Sequence, residues 1–172
     1  MAKVFLFESG EEKKVSKVTI HDVAMYFLTR VYSEEEFGSV ITHLKLQKLC
    51  FYAQAWHMVF ADKPMFEERF EAWAHGPVSP DLWQSYKGSG WQPIPAPLNF
   101  DVTVFDSKQL ETLDEVWDAY AKFDPKYIER LTHQEEPWIN ARGNCPKGDF
   151  CDREITTDAM KDYYSKIQAN GQ

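Results

Sequence analysis

Residues 42–61 read THLKLQKLCFYAQAWHMVFA, and this stretch decides the class of fold. Thr42 is suited to an N-cap, because its hydroxyl can accept a backbone N–H that the first helical turn leaves free. Leu46, Leu49, Cys50, Ala53, Trp56 and Phe60 recur at helical spacing along one side, while Phe51, Tyr52, Met58 and Val59 cover the others. A helix this apolar belongs at the centre of a helical core. Its polar residues Gln47, Gln54 and His57 fall at i, i+7 and i+10 and share one stripe, which is either solvated or a polar contact surface.

The flanking sequence supplies the neighbours of that helix. Upstream, Ile20, Val23, Ala24, Phe27, Leu28 and Val31 form an amphipathic helix, with Thr19 as N-cap and Asp22 completing a variant of the capping box. Residues 1–18 read as an N-terminal extension, a short strand at Val4 to Phe7 or a flexible arm, ahead of a single domain over 19–172. Downstream, Asp62-Lys63-Pro64 stops the central helix and Phe70 to Trp73 is extended. A rigid turn follows at His75 to Pro80, from which Ser79 and Pro80 open a short helix through Tyr86. Gly88 to Pro97 is an extended or polyproline-like loop. Val102 to Phe105 reads as a brief strand that pairs with Val4–Phe7 or Phe70–Trp73.

Further helices are expected from Ser107 to Phe123, from Asp124-Pro125, from Pro137 through Trp138, and from Thr156 or Thr157, the last with the stripe Met160, Tyr163, Tyr164 and Ile167. The class is mainly α, a compact bundle of about six helices that leaves room for a small β-sheet or hairpin.

The composition narrows the function. With 172 residues, 44% hydrophobic and 15% aromatic, the chain can close its own core. A net charge of -8, from 19 basic and 27 acidic side chains, argues against a nucleic-acid partner. No apolar run is long enough for a membrane span or a signal peptide, and the three cysteines make no disulfide framework, so a cytoplasmic location is expected.

Catalytic signatures are missing: there is no nucleophile elbow, phosphate loop or HExxH. Cys50 and His57 lie about 10 Å apart along their helix, too far for a thiolate–imidazole pair. Glu129, four residues before His133, could orient that imidazole as a general base or as a buried, bonded ring. Cys145 and Cys151 are spaced too widely for a zinc knuckle, and His133 would add only a third ligand, so no metal and no cofactor is expected. Trp73, Trp83, Trp91 and Trp138 sit near turns. There they serve either as interface anchors or as a core built by loops.

Several separated words occur together in order: Leu46-Gln47-Lys48-Leu49, Tyr52 to His57, Glu71 to Val78, Leu131-Thr132-His133, Pro137-Trp138, Ala141-Arg142 and a closing Ile155–Tyr164 helix. Spread over residues 18 to 167, this order resembles the SocA-like, or Panacea, antitoxin-domain family. The resemblance implies a cytoplasmic, bacterial or prophage-borne antitoxin of a type II-like toxin–antitoxin system. Such a protein neutralises a cognate protein toxin, encoded by the adjacent gene, through direct binding. In some members it hands the toxin to an ATP-dependent protease.

The region carried over comprises Trp73, His75, Gly76, Pro77, His133, Trp138 and Arg142, either touching the partner or holding the fold. No residue is assigned a catalytic role. The alternative is a hydrolase using His75 and His133 with Glu71 or Glu136.

Overall fold

The computed structural model describes residues 17–34 and 40–171. Helix α1 (Ile20–Ser33) begins at Thr19, whose side chain accepts from Asp22 N while Asp22 returns a bond to the Thr19 backbone, the reciprocal box expected from the sequence. Helix α2 (His43–Ala61) is capped by the Thr42 side chain and stops where Asp62 takes a left-handed backbone at φ 55°. Helices α3 (Pro80–Tyr86), α4 (Ser107–Tyr120), α5 (Pro125–Thr132), α6 (Glu136–Arg142) and α7 (Thr157–Asn170) follow, making the chain mainly α.

Helix α2 lies in the middle, packed against α1, α3, α4, α5 and α7. Leu46, Leu49, Cys50, Phe51, Tyr52 and Ala53 are all sealed from solvent. The Phe51 ring meets Tyr52, Phe70 and Tyr164 edge-on, and Tyr52 stacks on Tyr120 at 3.9 Å between centroids. One apolar cluster runs from α1 through α2 to Met160 and Tyr164 of α7.

A three-stranded antiparallel sheet sits against this bundle: β1 (Phe70–Trp73), β2 (Gly76–Val78) and β3 (Glu154–Ile155), in the order β2-β1-β3. In the register, Glu71 faces Val78, Ala72 faces Pro77 and Trp73 faces Gly76, while Phe70 and Glu71 face Ile155 and Glu154.

Two sequence readings are corrected here. Val102 to Phe105 is not a strand. Asp101 accepts from Thr103 N through its side chain and turns Val102–Val104 into a short 3-10 helix, so the second partner of β1 comes from Glu154–Ile155 instead. Helix α4 is capped by Asp106, not Ser107, because Asp106 and Gln109 form a reciprocal capping box; the helix ends at Tyr120, short of Phe123. The strand expected at Val4 to Phe7 lies outside the described residues, with the body of the 1–18 extension. Of that extension, Val18 is buried and Lys17 pairs with Glu67.

Candidate functional site: an aromatic cleft beside the hairpin

The hairpin between β1 and β2 turns on Ala74 and His75, neither of which adopts a positive φ; the left-handed position falls on Gly76, at φ 102°. Behind it stands Lys48 of α2, fully buried, its Nζ donating to Pro77 O at 3.1 Å. From the other side, Trp138 Nε1 donates to Trp73 O at 2.8 Å and Arg142 Nη1 to Ala72 O at 3.0 Å. His133 stacks on Trp138, with centroids 4.1 Å apart and planes 18° from parallel. Residues His133, Trp138 and Arg142 therefore converge on the hairpin and brace its back.

Burial holds His133 below the ordinary imidazole pKa, and Lys48 adds to this although Glu129 pulls the other way. Glu129 does not pair with the His133 ring through its side chain. It accepts from His75 at Nδ1, 3.1 Å away, and from Lys126 at 3.3 Å. Burial would raise the Glu129 pKa, but these two partners keep it below the usual carboxylate value. Glu71, the other carboxylate offered for a hydrolytic role, is occupied by Arg69 at 3.0 Å and Trp73 Nε1 at 2.7 Å. Among the described residues, no hydroxyl or thiol is hydrogen-bonded to His75 or to the His133 ring nitrogens.

The front of the hairpin opens on a cleft of about 400 Å³ between the start of α2, helix α3 and the 143–151 loop. Trp73 and Trp83 stand 5.7 Å apart between centroids, and Phe150 meets Trp73 at 5.4 Å. Trp91 lies edge-on to His75 at 6.4 Å. Trp91 and Phe150 are 67% and 69% exposed. The loop carrying Trp91 is tied down by Ile94, whose N–H donates to Ile41 O at 2.9 Å. Arg142 anchors the Phe150 loop, donating to Pro146 O at 2.6 Å and Asp149 O at 3.0 Å.

The polar stripe of α2 is neither solvated nor a contact surface, since Gln47, Gln54 and His57 are 2%, 2% and 0% exposed. Each serves a segment that crosses α2. Gln47 Oε1 accepts from Ser79 N at 2.8 Å and its Nε2 donates to Ser79 O at 3.2 Å. Gln54 accepts from Met65 N at 2.8 Å and donates to Phe66 O at 2.7 Å, and His57 Nδ1 pairs with Thr112 Oγ1 at 3.0 Å. Loop amides buried against an apolar helix need such partners. The Ser79 hydroxyl makes no cap bond, so Gln47 rather than a cap fixes the start of α3.

Cys145 and Cys151 are free thiols. Among the described residues no three His, Cys, Asp or Glu side chains are grouped as a metal site, and no helix is long and apolar enough to cross a membrane.

A family model described as antitoxin SocA-like, Panacea domain, matches residues 46–139, more than half of the 172 residues. The chain belongs to this family. The match takes in most of α2, the hairpin, His133 and Trp138, and it stops before Arg142 and Phe150. No curated protein and no solved structure matches the chain.

Sequence reasoning about this Panacea domain missed Lys48, whose burial lowers its pKa to about 7 against the pull of Glu129. Its position inside an otherwise apolar helix was the available signal. Because the folded pKa lies below the ordinary lysine value, the unfolded chain binds the extra proton between about pH 7 and 10. The contribution of Lys48 to stability is then least favourable at pH 7 and below, and it improves as pH rises through that window. Relative to a Lys48→Met variant, the wild type should gain on the order of 1 kcal/mol per pH unit in urea unfolding from about pH 7 to 9. A pH-independent difference between the two would contradict the neutral, buried amine.

Proposed function

We propose that this Panacea domain is a cytoplasmic antitoxin that neutralises a cognate protein toxin by direct, steric binding, with the aromatic cleft at the centre of the contact. The observation that carries the reading is the pair of large exposed rings, Trp91 and Phe150, lining one cleft with Trp83 of α3 and with Trp73 of a hairpin braced from behind. Rigid aromatic anchors lose little conformational freedom on binding and concentrate the affinity of protein interfaces. Family membership supports an antitoxin-type role, and the net charge of -8 favours encounter with a basic toxin. His75, braced by Glu129 without a nucleophile beside it, supports a positioning role over hydrolysis.

Expression of the adjacent gene's product should arrest growth, and co-expression of this protein should restore it. Trp91→Ala combined with Phe150→Ala should weaken toxin binding by about tenfold or more. Both rings are mostly exposed, so the thermal midpoint should change little. Full rescue and unchanged affinity in the double variant would move the interface elsewhere. Toxin abundance in the co-expressing cell separates two mechanisms. It stays constant if neutralisation is steric and falls if the domain delivers the toxin to an ATP-dependent protease.

A further inference from the structure

We infer that the aromatic cleft recognises a segment of a partner protein in which a large apolar side chain is followed or preceded by an aspartate or glutamate. A hydrogen-bond relay from Ser79 through Gln47 to His43 fixes a donor in the cleft wall. Ser79 N–H must donate, so the Gln47 atom facing it is Oε1, and the Gln47 Nε2 hydrogens point to Ser79 O and to His43 Nε2, 3.1 Å away. His43 Nε2 is therefore the acceptor. Burial, reinforced by Lys48, lowers the His43 pKa to about 4, so the ring is neutral at physiological pH and carries its proton on Nδ1. Nδ1 has no partner among the described residues, although His43 is only 7% exposed and lines the cleft.

The rest of the lining points the same way. The indole N–H groups of Trp83 and Trp91 find no acceptor among the described residues. Lys87 places its ammonium over the Trp83 ring at 5.1 Å and is exposed at the rim. No aspartate or glutamate lines the cleft. The carboxylates that reach its walls are already engaged, Glu71 by Arg69 and Trp73, and Glu129 by His75 and Lys126.

The cleft thus offers donors around an apolar floor and no carboxylate in its lining, in a chain whose net charge is -8. That local inversion of sign selects a ligand with an apolar body and an anionic edge. A volume of about 400 Å³ holds a large side chain with its neighbours. The exposed flanks at Trp91 and Phe150 leave room for a chain to pass through, and Lys87 sits where a flanking carboxylate would lie. An internal acidic-aromatic segment fits this shape better than a chain end.

The assignment deepens the antitoxin reading by naming the chemistry of the toxin segment, and it is tested without the toxin. The full chain, labelled with ¹⁵N, is titrated with three blocked pentapeptides: acetyl-Gly-Glu-Trp-Glu-Gly-amide and its analogues with Gln or Lys in place of both Glu. The Glu peptide should bind about fivefold tighter than the Gln peptide and shift the indole signals of Trp83 and Trp91, with the Lys peptide weakest. Lys87→Gln should narrow the Glu-to-Gln ratio to below about twofold without changing the thermal midpoint.

Equal affinity for the Glu and Gln peptides, a preference for Lys, or no binding by any of the three at millimolar concentration would overturn the inference. So would tight binding of acetyl-Gly-Gln-Trp only when its terminal carboxylate is free, which would mark a chain end as the ligand. Growth rescue without a Glu preference removes this inference and leaves the antitoxin reading intact. A Glu preference without a toxic neighbour does the reverse.

Discussion

Replacing Gly76 with alanine should lower the unfolding free energy by about 3 kcal/mol, enough to deplete soluble protein in the cell. Two effects add. At φ 102° an L side chain is strained whatever the space around it, at a cost of about 1–2 kcal/mol. A Cβ there would also lie 2.7 Å from Lys48 Cε and 2.7 Å from Thr132 Oγ1. Neither neighbour has an easy retreat, because both are buried and Lys48 holds Pro77 O. Relieving such overpacking costs about 1–3 kcal/mol.

Gly148→Ala separates the two effects. Gly148 also has a positive φ, 83°, but open space where its Cβ would stand, so it should lose only the smaller, conformational part. Urea unfolding followed by tryptophan fluorescence measures both. A loss at Gly76 no larger than that at Gly148 would mean that Lys48 and Thr132 yield to the methyl group.

The second large effect belongs to Arg142, which is 5% exposed. Its guanidinium donates to three carbonyl oxygens, those of Ala72, Pro146 and Asp149, and lies 5.4 Å above the Trp138 ring. Arg142→Met keeps much of the apolar stem but removes the guanidinium bonds to Ala72 O and Asp149 O and leaves Pro146 O with Asp149 N alone, and should cost about 3 kcal/mol. Arg142→Lys should recover less than half of that, since a single ammonium cannot span acceptors that a planar fork reaches together. Hydrogen exchange gives the local signature: the amides of Cys145 and Asp149, bonded to Arg142 O and Pro146 O, should lose protection ahead of the core helices. A lysine variant as stable as wild type, with the loop still protected, would show that charge alone is needed there.

The helices were legible because their signals are local. Thr19 with Asp22, Thr42, and Asp124 before Pro125 each state a helix start within four residues, and the structure places caps at those positions. The polar residues of α2 were not legible as interior groups, because their partners lie far along the chain: loop backbones 11 to 32 residues away for Gln47 and Gln54, and the Thr112 hydroxyl of α4 for His57. Periodicity registers that Gln47, Gln54 and His57 share a stripe. It carries no information about what lies across from the stripe.

The same limit applied to the cleft. The residue types at Trp73, Trp83 and Trp91 mark a candidate surface, but their convergence depends on Ile94 pinning one loop and Arg142 another. Phe150 and His43 drew no notice in the sequence for that reason. Val102 to Phe105 misled because four apolar and β-branched residues outweigh one aspartate in a propensity reading, whereas the Asp101 side chain decides the backbone.

Tyr164 of α7 closes the core over Phe51 and Tyr52, which the ribosome makes about a hundred residues earlier. At translation speeds of about 5–20 residues per second, the apolar flank of α2 stays uncovered for about 5–20 s in every nascent copy. During that interval it is open to chaperones and proteases. The number of mature molecules a cell holds is therefore set partly by how quickly each one is finished, as well as by how stable it becomes.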